Sequence, residues 1–129
     1  MLFHQHLLVK AYVHDAPFQA EDLEDWLTRL VTAINMKVVI PARAVYVDTP
    51  GNEGLTGQVG LETSHAAIHI WDSLEPAMLQ MDVYSCKDFN TETVIEMLNE
   101  WDLIAYETMT IDRNIHFQVT EQQKIDVIV

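Results

Sequence analysis

The chain has 129 residues, of which 49% are apolar and 21% charged, as in an ordinary folded domain. Seven basic residues stand against 20 acidic ones, and the net charge of −13 repels phosphate backbones. No apolar run approaches the ~20 residues of a membrane-spanning helix. The N-terminus lacks the basic region of a secretory signal, and one cysteine cannot form an internal disulfide. We therefore expect one cytoplasmic domain over residues 1–129, with neither nucleic acid nor membrane as partner.

The first half of the chain predicts a strand, a helix and a second strand region. Residues 2–13 are strand-like, and residues 20–34 carry apolar side chains at the spacing of an amphipathic helix. Residues 36–47 predict a strand pair, or one strand broken at Pro41, because proline cannot donate to a strand ladder. The turn-forming residues 48–54 predict a loop.

The second half predicts further strands around one helix. Strands are expected at residues 58–62, 66–71 and 78–86, a helix at 91–101 capped by Asn90 or Thr91, and strands at 103–111 and 117–129, the last broken near 121–123. The resulting order is β-α-β-β-β-β-α-β. This order predicts an α+β fold, a two-layer sandwich in which two helices cover one face of a mainly antiparallel sheet.

The stretch around Ser64 carries the residues best suited to chemistry. His65 and His69 have the spacing of two zinc ligands on a helix. On the expected strand, however, they lie about 13 Å apart and cannot share an ion. A hydrolase using Ser64 would need a glycine-flanked elbow, which is missing. The residues alone therefore leave open a nucleophilic hydrolase and a buried strand with hydrogen-bonded histidines and an inert Cys86.

The whole segment resembles a known family. Ser-His-x-x-Ile-His-x-Trp, with Thr-Gly eight residues upstream and Asp-Val-x-x-Cys downstream, resembles the bacterial S-adenosylmethionine decarboxylase proenzymes. The opening segment from His6 to Tyr12 also resembles the first strand of that family. The resemblance covers residues 4–112, and its specific part is confined to residues 56–86.

The resemblance implies that the chain cuts itself. Ser64 would attack the carbonyl of Thr63 and become a pyruvoyl group, giving a β chain of residues 1–63 and an α chain of residues 64–129. This ketone would form a Schiff base with the substrate amine, the task that PLP has elsewhere, so neither PLP nor a metal is expected. His69 and Thr56 match residues that assist processing. Cys86 matches the proton donor, a role that a thiol protonated near neutral pH can perform.

The implied substrate is S-adenosylmethionine, whose decarboxylated product is the aminopropyl donor for spermidine synthesis. The family also implies a homodimer, with residues of both subunits near each site. Four departures bear on these roles. Thr63 replaces a glutamate, Lys10 replaces an acidic residue, the segment after Trp71 differs, and an aromatic cluster before Thr56 is missing.

Most of these departures concern substrate recognition rather than the cleavage residues. The substrate-binding candidates are therefore Lys10, Tyr46, Asp72, Ser73 and Glu75. Two alternatives follow from the altered pocket: the same pyruvoyl chemistry on arginine or ornithine, or a homologue that is not processed and has a binding or regulatory role.

Overall fold

The computed structural model describes residues 4–126. These residues form seven strands, two α-helices and a short 3-10 helix. The elements are β1 Gln5–Val13, α1 Ala20–Ala33, β2 Val38–Val47, β3 Gly54–Leu61, β4 Ser64–Trp71, β5 Ala77–Ser85, α2 Thr91–Leu98, the 3-10 helix Asn99–Trp101, β6 Leu103–Asp112 and β7 Gln118–Asp126. The predicted α+β class is confirmed, and β7 corresponds to the strand predicted at 117–129, which the predicted order leaves out.

The strands form a single sheet in the order β2-β3-β4-β5-β1-β6-β7. Every pairing among the described residues is antiparallel. The first strand lies in the interior of the sheet, between β5 and β6, so residues near the N-terminus are brought against residues 77–85 and 103–112.

Both helices pack on one face of this sheet. The apolar stripe of α1 and that of α2 belong to the same buried cluster as alternate residues of the strands, among them Leu7, Leu55 and Ile68. The ring centroids of Trp26 and Trp101 lie 4.4 Å apart with the rings tilted by 32°, and this contact joins α1 to the 3-10 helix. The opposite side, which we call the open face, carries the intervening strand residues. Among residues 4–126, neither helix has the length and apolar character to cross a membrane.

Several predicted boundaries are wrong. Strand β2 runs through Pro41 without ending, because it is an edge strand and its irregular register takes up the missing donor. Strand β3 begins at Gly54, inside the predicted loop, and β4 begins two residues early, at Ser64. Strand β7 continues through residues 121–123, where a break was expected. The ends of the predicted first and last strands, residues 2–3 and 127–129, lie outside the described residues.

Two glycines let β3 approach its neighbours closely. Gly54 has a φ of 145°, and a Cβ atom there would lie 1.6 Å from the carbonyl oxygen of Ile70. At Gly57 a Cβ atom would lie 2.8 Å from a methyl carbon of Leu23 on α1. Glycine is therefore required where β3 starts beside β4 and where it passes under the helix.

Candidate active site

Thr56 and His69 form a hydrogen-bonded pair on the open face. They are directly opposite each other on β3 and β4, and Oγ1 of Thr56 lies 2.6 Å from Nδ1 of His69. The other ring nitrogen, Nε2, lies 3.2 Å from the main-chain carbonyl of Asn52. The amide oxygen of Asn52 accepts a hydrogen bond from the indole of Trp71, whose ring contacts the His69 imidazole edge to face.

These contacts determine which nitrogen of His69 is basic. A carbonyl oxygen can only accept, so Nε2 of His69 carries the proton and donates to Asn52. In the neutral ring Nδ1 then has a lone pair, and the Thr56 hydroxyl donates to it. The pair therefore has the order hydroxyl, imidazole, carbonyl, in which the imidazole can accept a proton from the hydroxyl.

Ser64 and Cys86 meet at the peptide bond between Thr63 and Ser64. The hydroxyl oxygen of Ser64 is buried and has no hydrogen-bond partner among the described residues. An unpaired buried hydroxyl costs about 1–3 kcal/mol. The half-buried thiol of Cys86 donates to the carbonyl oxygen of Thr63, with Sγ 3.6 Å away. The carbonyl expected to be attacked is thus already polarised by a donor.

The Thr56–His69 pair and the region around Ser64 and Cys86 lie at opposite ends of β4. Ser64 is the first residue of this strand and His69 the sixth, so about 16 Å separates them at the rise of a strand. The residues expected to act together therefore lie in two places, Thr56 with His69 in one and Cys86 with the Thr63 carbonyl next to Ser64 in the other.

A carboxylate at the centre of the open face joins two further histidines. Oδ2 of Asp82 lies 2.8 Å from Nε2 of His6 and 2.7 Å from Nε2 of His65. These three donor atoms could in principle hold a metal ion. However, Arg113 donates to Nδ1 of His6 at 3.3 Å, which leaves the proton on Nε2, and a protonated nitrogen cannot bind a metal. The contacts therefore fit a hydrogen-bonded carboxylate better than a metal centre.

Tyr84 lies among the histidines, opposite His65 in the pairing of β4 with β5. Its hydroxyl is 2.8 Å from Nδ1 of His4, and the guanidinium of Arg113 stacks on its ring at 4.1 Å.

Six residues of this site were not predicted from the sequence, namely His4, His6, Asn52, Asp82, Tyr84 and Arg113. The period-two alternation of β1, β4 and β5 places Asp82 and Tyr84 on the same face as His6 and His65, which was a usable signal. Arg113 and Asn52 lie in loops and had none.

The substrate-binding candidates are divided between two places. Lys10 lines a cavity of about 960 Å³ on the open face, together with Thr56, His69 and Asp82. Tyr46 donates to Asp72 at 3.1 Å, and its pKa is raised by desolvation of the hydroxyl and then by this carboxylate. The last two candidates lie elsewhere, in the turn after β4. Glu75 is 3.4 Å from His14, and Ser73 is exposed.

A family comparison identifies the chain's relatives. The model of the S-adenosylmethionine decarboxylase family matches residues 5–114. The chain belongs to the S-adenosylmethionine decarboxylase family. This family consists of decarboxylases that are in general pyruvoyl-dependent, so family and fold support a decarboxylase-like function. The family resemblance of the Ser64 segment is thereby confirmed.

Solved structures agree with this family at the level of the fold. The crystal structure of the adenosylmethionine decarboxylase from Aquifex aeolicus VF5 has a TM-score of 0.70 and 22% identity, covering 88% of this chain and 92% of that chain. A phage SAM lyase in complex with S-methyl-5'-thioadenosine has a TM-score of 0.42 and 12% identity, covering 98% and 90%. The second likeness is too low to support an argument. The curated proteins contain no match.

Proposed function

We propose that this family member is a pyruvoyl-dependent decarboxylase of S-adenosylmethionine, and that it first cleaves itself between Thr63 and Ser64. Its product would be the aminopropyl donor for spermidine synthesis. The observation that carries the proposal is the contact at the scissile bond, where the Cys86 thiol lies 3.6 Å from the carbonyl oxygen of Thr63. Beside it, the Ser64 hydroxyl has no competing partner among the described residues. A free nucleophile next to a polarised carbonyl is what an acyl shift requires.

Cleavage would proceed within the chain. Oγ of Ser64 bonds to the carbonyl carbon of Thr63 as the C–N bond breaks, and the freed amine takes up the hydroxyl proton. Elimination across the Cα–H and Cβ–Oγ bonds of Ser64 then releases the carboxylate of Thr63. Water replaces the nitrogen, which leaves as ammonia, and a ketone remains at position 64. A base such as His69, whose Nδ1 is unprotonated when the ring is neutral, suits the proton removals.

The ketone, when formed, takes up the electron pair that departing CO2 leaves on the substrate. A proton must then reach the substrate carbon. The thiol of Cys86 is the donor we assign to this step, because it lies beside the position that the ketone would occupy and a thiol can donate a proton.

We infer that the working enzyme is a homodimer in which each site combines two chains. The support is the separation of about 16 Å along β4 between Ser64 and His69, which one chain cannot close. A second copy, related by two-fold symmetry, can bring its Thr56 and His69 to the end of β4 at which the Ser64 of the first chain lies.

A cationic substrate suits the proposed site. The chain carries a net charge of −13, and Asp82 and Glu107 line the large cavity on the open face. Its volume of about 960 Å³ lies within the range of small-molecule sites. A second candidate is the same chemistry on arginine or ornithine. The observation behind it is that Lys10 lines this cavity where the family has an acidic residue, so the sulfonium of S-adenosylmethionine lacks its expected partner there.

Intact-mass spectrometry of the freshly purified protein tests the cleavage. We expect two fragments of 63 and 66 residues, the longer one beginning with a ketone, whereas the Ser64→Ala control stays whole. Release of CO2 from S-adenosylmethionine, arginine and ornithine then identifies the substrate. A wild-type chain that remains at 14.8 kDa and releases no CO2 overturns the proposal and favours a binding or regulatory role.

A further inference from the structure

Decarboxylation has a proton requirement that the thiol alone cannot meet. Each turnover replaces a carboxylate by a hydrogen, so the donor loses one proton and must receive another from solvent before the next turnover. Under the proposed function this donor is Cys86, which is half-buried. Within hydrogen-bond reach of its sulfur, residues 4–126 offer the Thr63 carbonyl, which cannot donate, and Nδ1 of His4 at 3.9 Å.

His4 lies between this thiol and solvent. Its ring is half-buried, and Nδ1 is also 2.8 Å from the hydroxyl of Tyr84. His4 lines a second cavity, of about 550 Å³, whose wall includes the exposed residues Asp112, Asn114 and Glu121. An imidazole at such a place can receive a proton that comes from water and pass it to the sulfur.

The neighbouring histidines are occupied elsewhere. His6 and His65 both donate to Asp82, and Nδ1 of His6 receives a hydrogen bond from Arg113. Neither ring contacts the thiol of Cys86. Of the three imidazoles grouped around the Tyr84 ring, His4 is thus the one whose contacts lead to the sulfur.

We propose that His4 is a positioning residue that restores the proton of Cys86 after each turnover; this rests on the proposed function. In the step, the Nδ1–H bond of the His4 imidazolium breaks and an S–H bond forms on the Cys86 thiolate. The neutral ring keeps its proton on Nε2, and Nδ1 then accepts from the Tyr84 hydroxyl. The Tyr84 hydroxyl then gives its proton to Nδ1 and takes one from water, which restores the imidazolium, so charge and atoms balance over the cycle.

Chemical rescue tests the proposal in the full-length enzyme. Because general acid–base groups contribute about 100-fold or more, we expect His4→Ala to lower kcat for CO2 release by at least about tenfold. Added imidazole should restore most of this loss by entering the cavity beside position 4. The matched control is His116→Ala, which removes an exposed histidine. Its kcat should equal that of the wild type, and added imidazole should not change it. Wild-type kcat in His4→Ala, or a loss that imidazole does not reverse, overturns the proposal.

A second measurement does not depend on turnover. In the uncleaved Ser64→Ala chain, we expect iodoacetamide to alkylate Cys86 at pH 7 about fivefold more slowly once His4 is also replaced by alanine, because the thiolate loses its neighbouring imidazole. An unchanged rate contradicts the contact. If the wild-type enzyme releases no CO2 from any substrate, the proposed function fails, while the alkylation rate still decides whether His4 acts on Cys86.

Discussion

The hydroxyl of Thr56 has one proton, and the structure directs it to Nδ1 of His69 at 2.6 Å. This direction follows from Asn52, whose carbonyl occupies the other nitrogen of the ring. A threonine hydroxyl and a serine hydroxyl can both make this contact, whereas valine has the same shape without the oxygen.

We therefore predict that Thr56→Val slows self-cleavage at least about tenfold, in the range of a lost acid–base partner, and that Thr56→Ser cleaves near the wild-type rate. The cleaved fraction is followed by intact mass over time after expression. Equal cleavage in both variants would show that the hydroxyl has no part in processing.

Asp82 is the acceptor for two imidazoles at once, and its side chain is only 27% exposed. We predict that Asp82→Ala lowers the free energy of unfolding by about 1–3 kcal/mol, because His6 and His65 lose their shared acceptor. Urea unfolding of the uncleaved Ser64→Ala chain measures it. Asp88→Ala, at an exposed position, is the matched control and should change stability by less than about 0.5 kcal/mol. Equal losses in the two variants would contradict the bridging role.

At the level of the elements, the two helices begin differently. Asn90 accepts a hydrogen bond from the main-chain nitrogen of Glu92, whereas the side chain of Gln19 caps nothing at the start of α1. We predict that Asn90→Ala destabilises the fold by about 1 kcal/mol and that Gln19→Ser stabilises it by about 0.5 kcal/mol, because serine is a good N-cap at an extended position. Thermal unfolding of the two variants tests the prediction, and shifts of the same sign would contradict it.

The two glycines of β3 differ in what surrounds them. A methyl group at Gly54 would meet backbone at 1.6 Å, whereas one at Gly57 would meet the ends of leucine side chains at 2.8 Å or more. We predict that Gly54→Ala lowers stability by at least about 3 kcal/mol and Gly57→Ala by about half as much, because side chains can yield and backbone cannot. Urea unfolding measures both, and a larger loss at Gly57 would contradict this reading.

The helices were predictable because each carries an apolar stripe; α1 was expected at residues 20–34 and is Ala20–Ala33. The strands were predicted less well at their ends. Thr56 and Ser64 fall in regular strands although each lay two residues before a predicted strand, at 58–62 and 66–71, because strand pairing across β3 and β4 extends both strands. Likewise, the polar residues 121–123 pair with β6 instead of breaking β7.

Within the site, sequence spacing identified residues but not which of them are neighbours. Thr56 and His69 become partners through the antiparallel register, and Ser64 approaches Cys86 because a turn returns the chain to β5. His4 reaches the site across more than 80 positions, because β1 inserts between β5 and β6. Such long-range pairing is not encoded in any local pattern, which is why His4 and Arg113 were missed.

For the whole molecule, the composite site makes a specific prediction about mixed subunits. Ser64→Ala and His69→Ala chains should each remain uncleaved alone. Co-expressed, they should give about a quarter of all chains cleaved, because half of the dimers are mixed and only the His69→Ala chain in them has both Ser64 and a facing His69 of the partner subunit. Intact mass separates the products. Co-expression without any cleavage would place the complete site within one chain.

The position of β1 in the sheet gives cleavage a thermodynamic meaning. The bond before Ser64 would divide the chain into a first piece containing β1–β3 and a second containing β4–β7, yet β1 pairs only with β5 and β6. The first piece alone would leave β1 without a neighbour, so neither piece can rebuild the sheet by itself. Folding before cleavage is unimolecular, whereas refolding afterwards requires two molecules to meet and slows on dilution. Self-cleavage would thus make unfolding harder to reverse, because the two pieces must find each other again to rebuild the sheet.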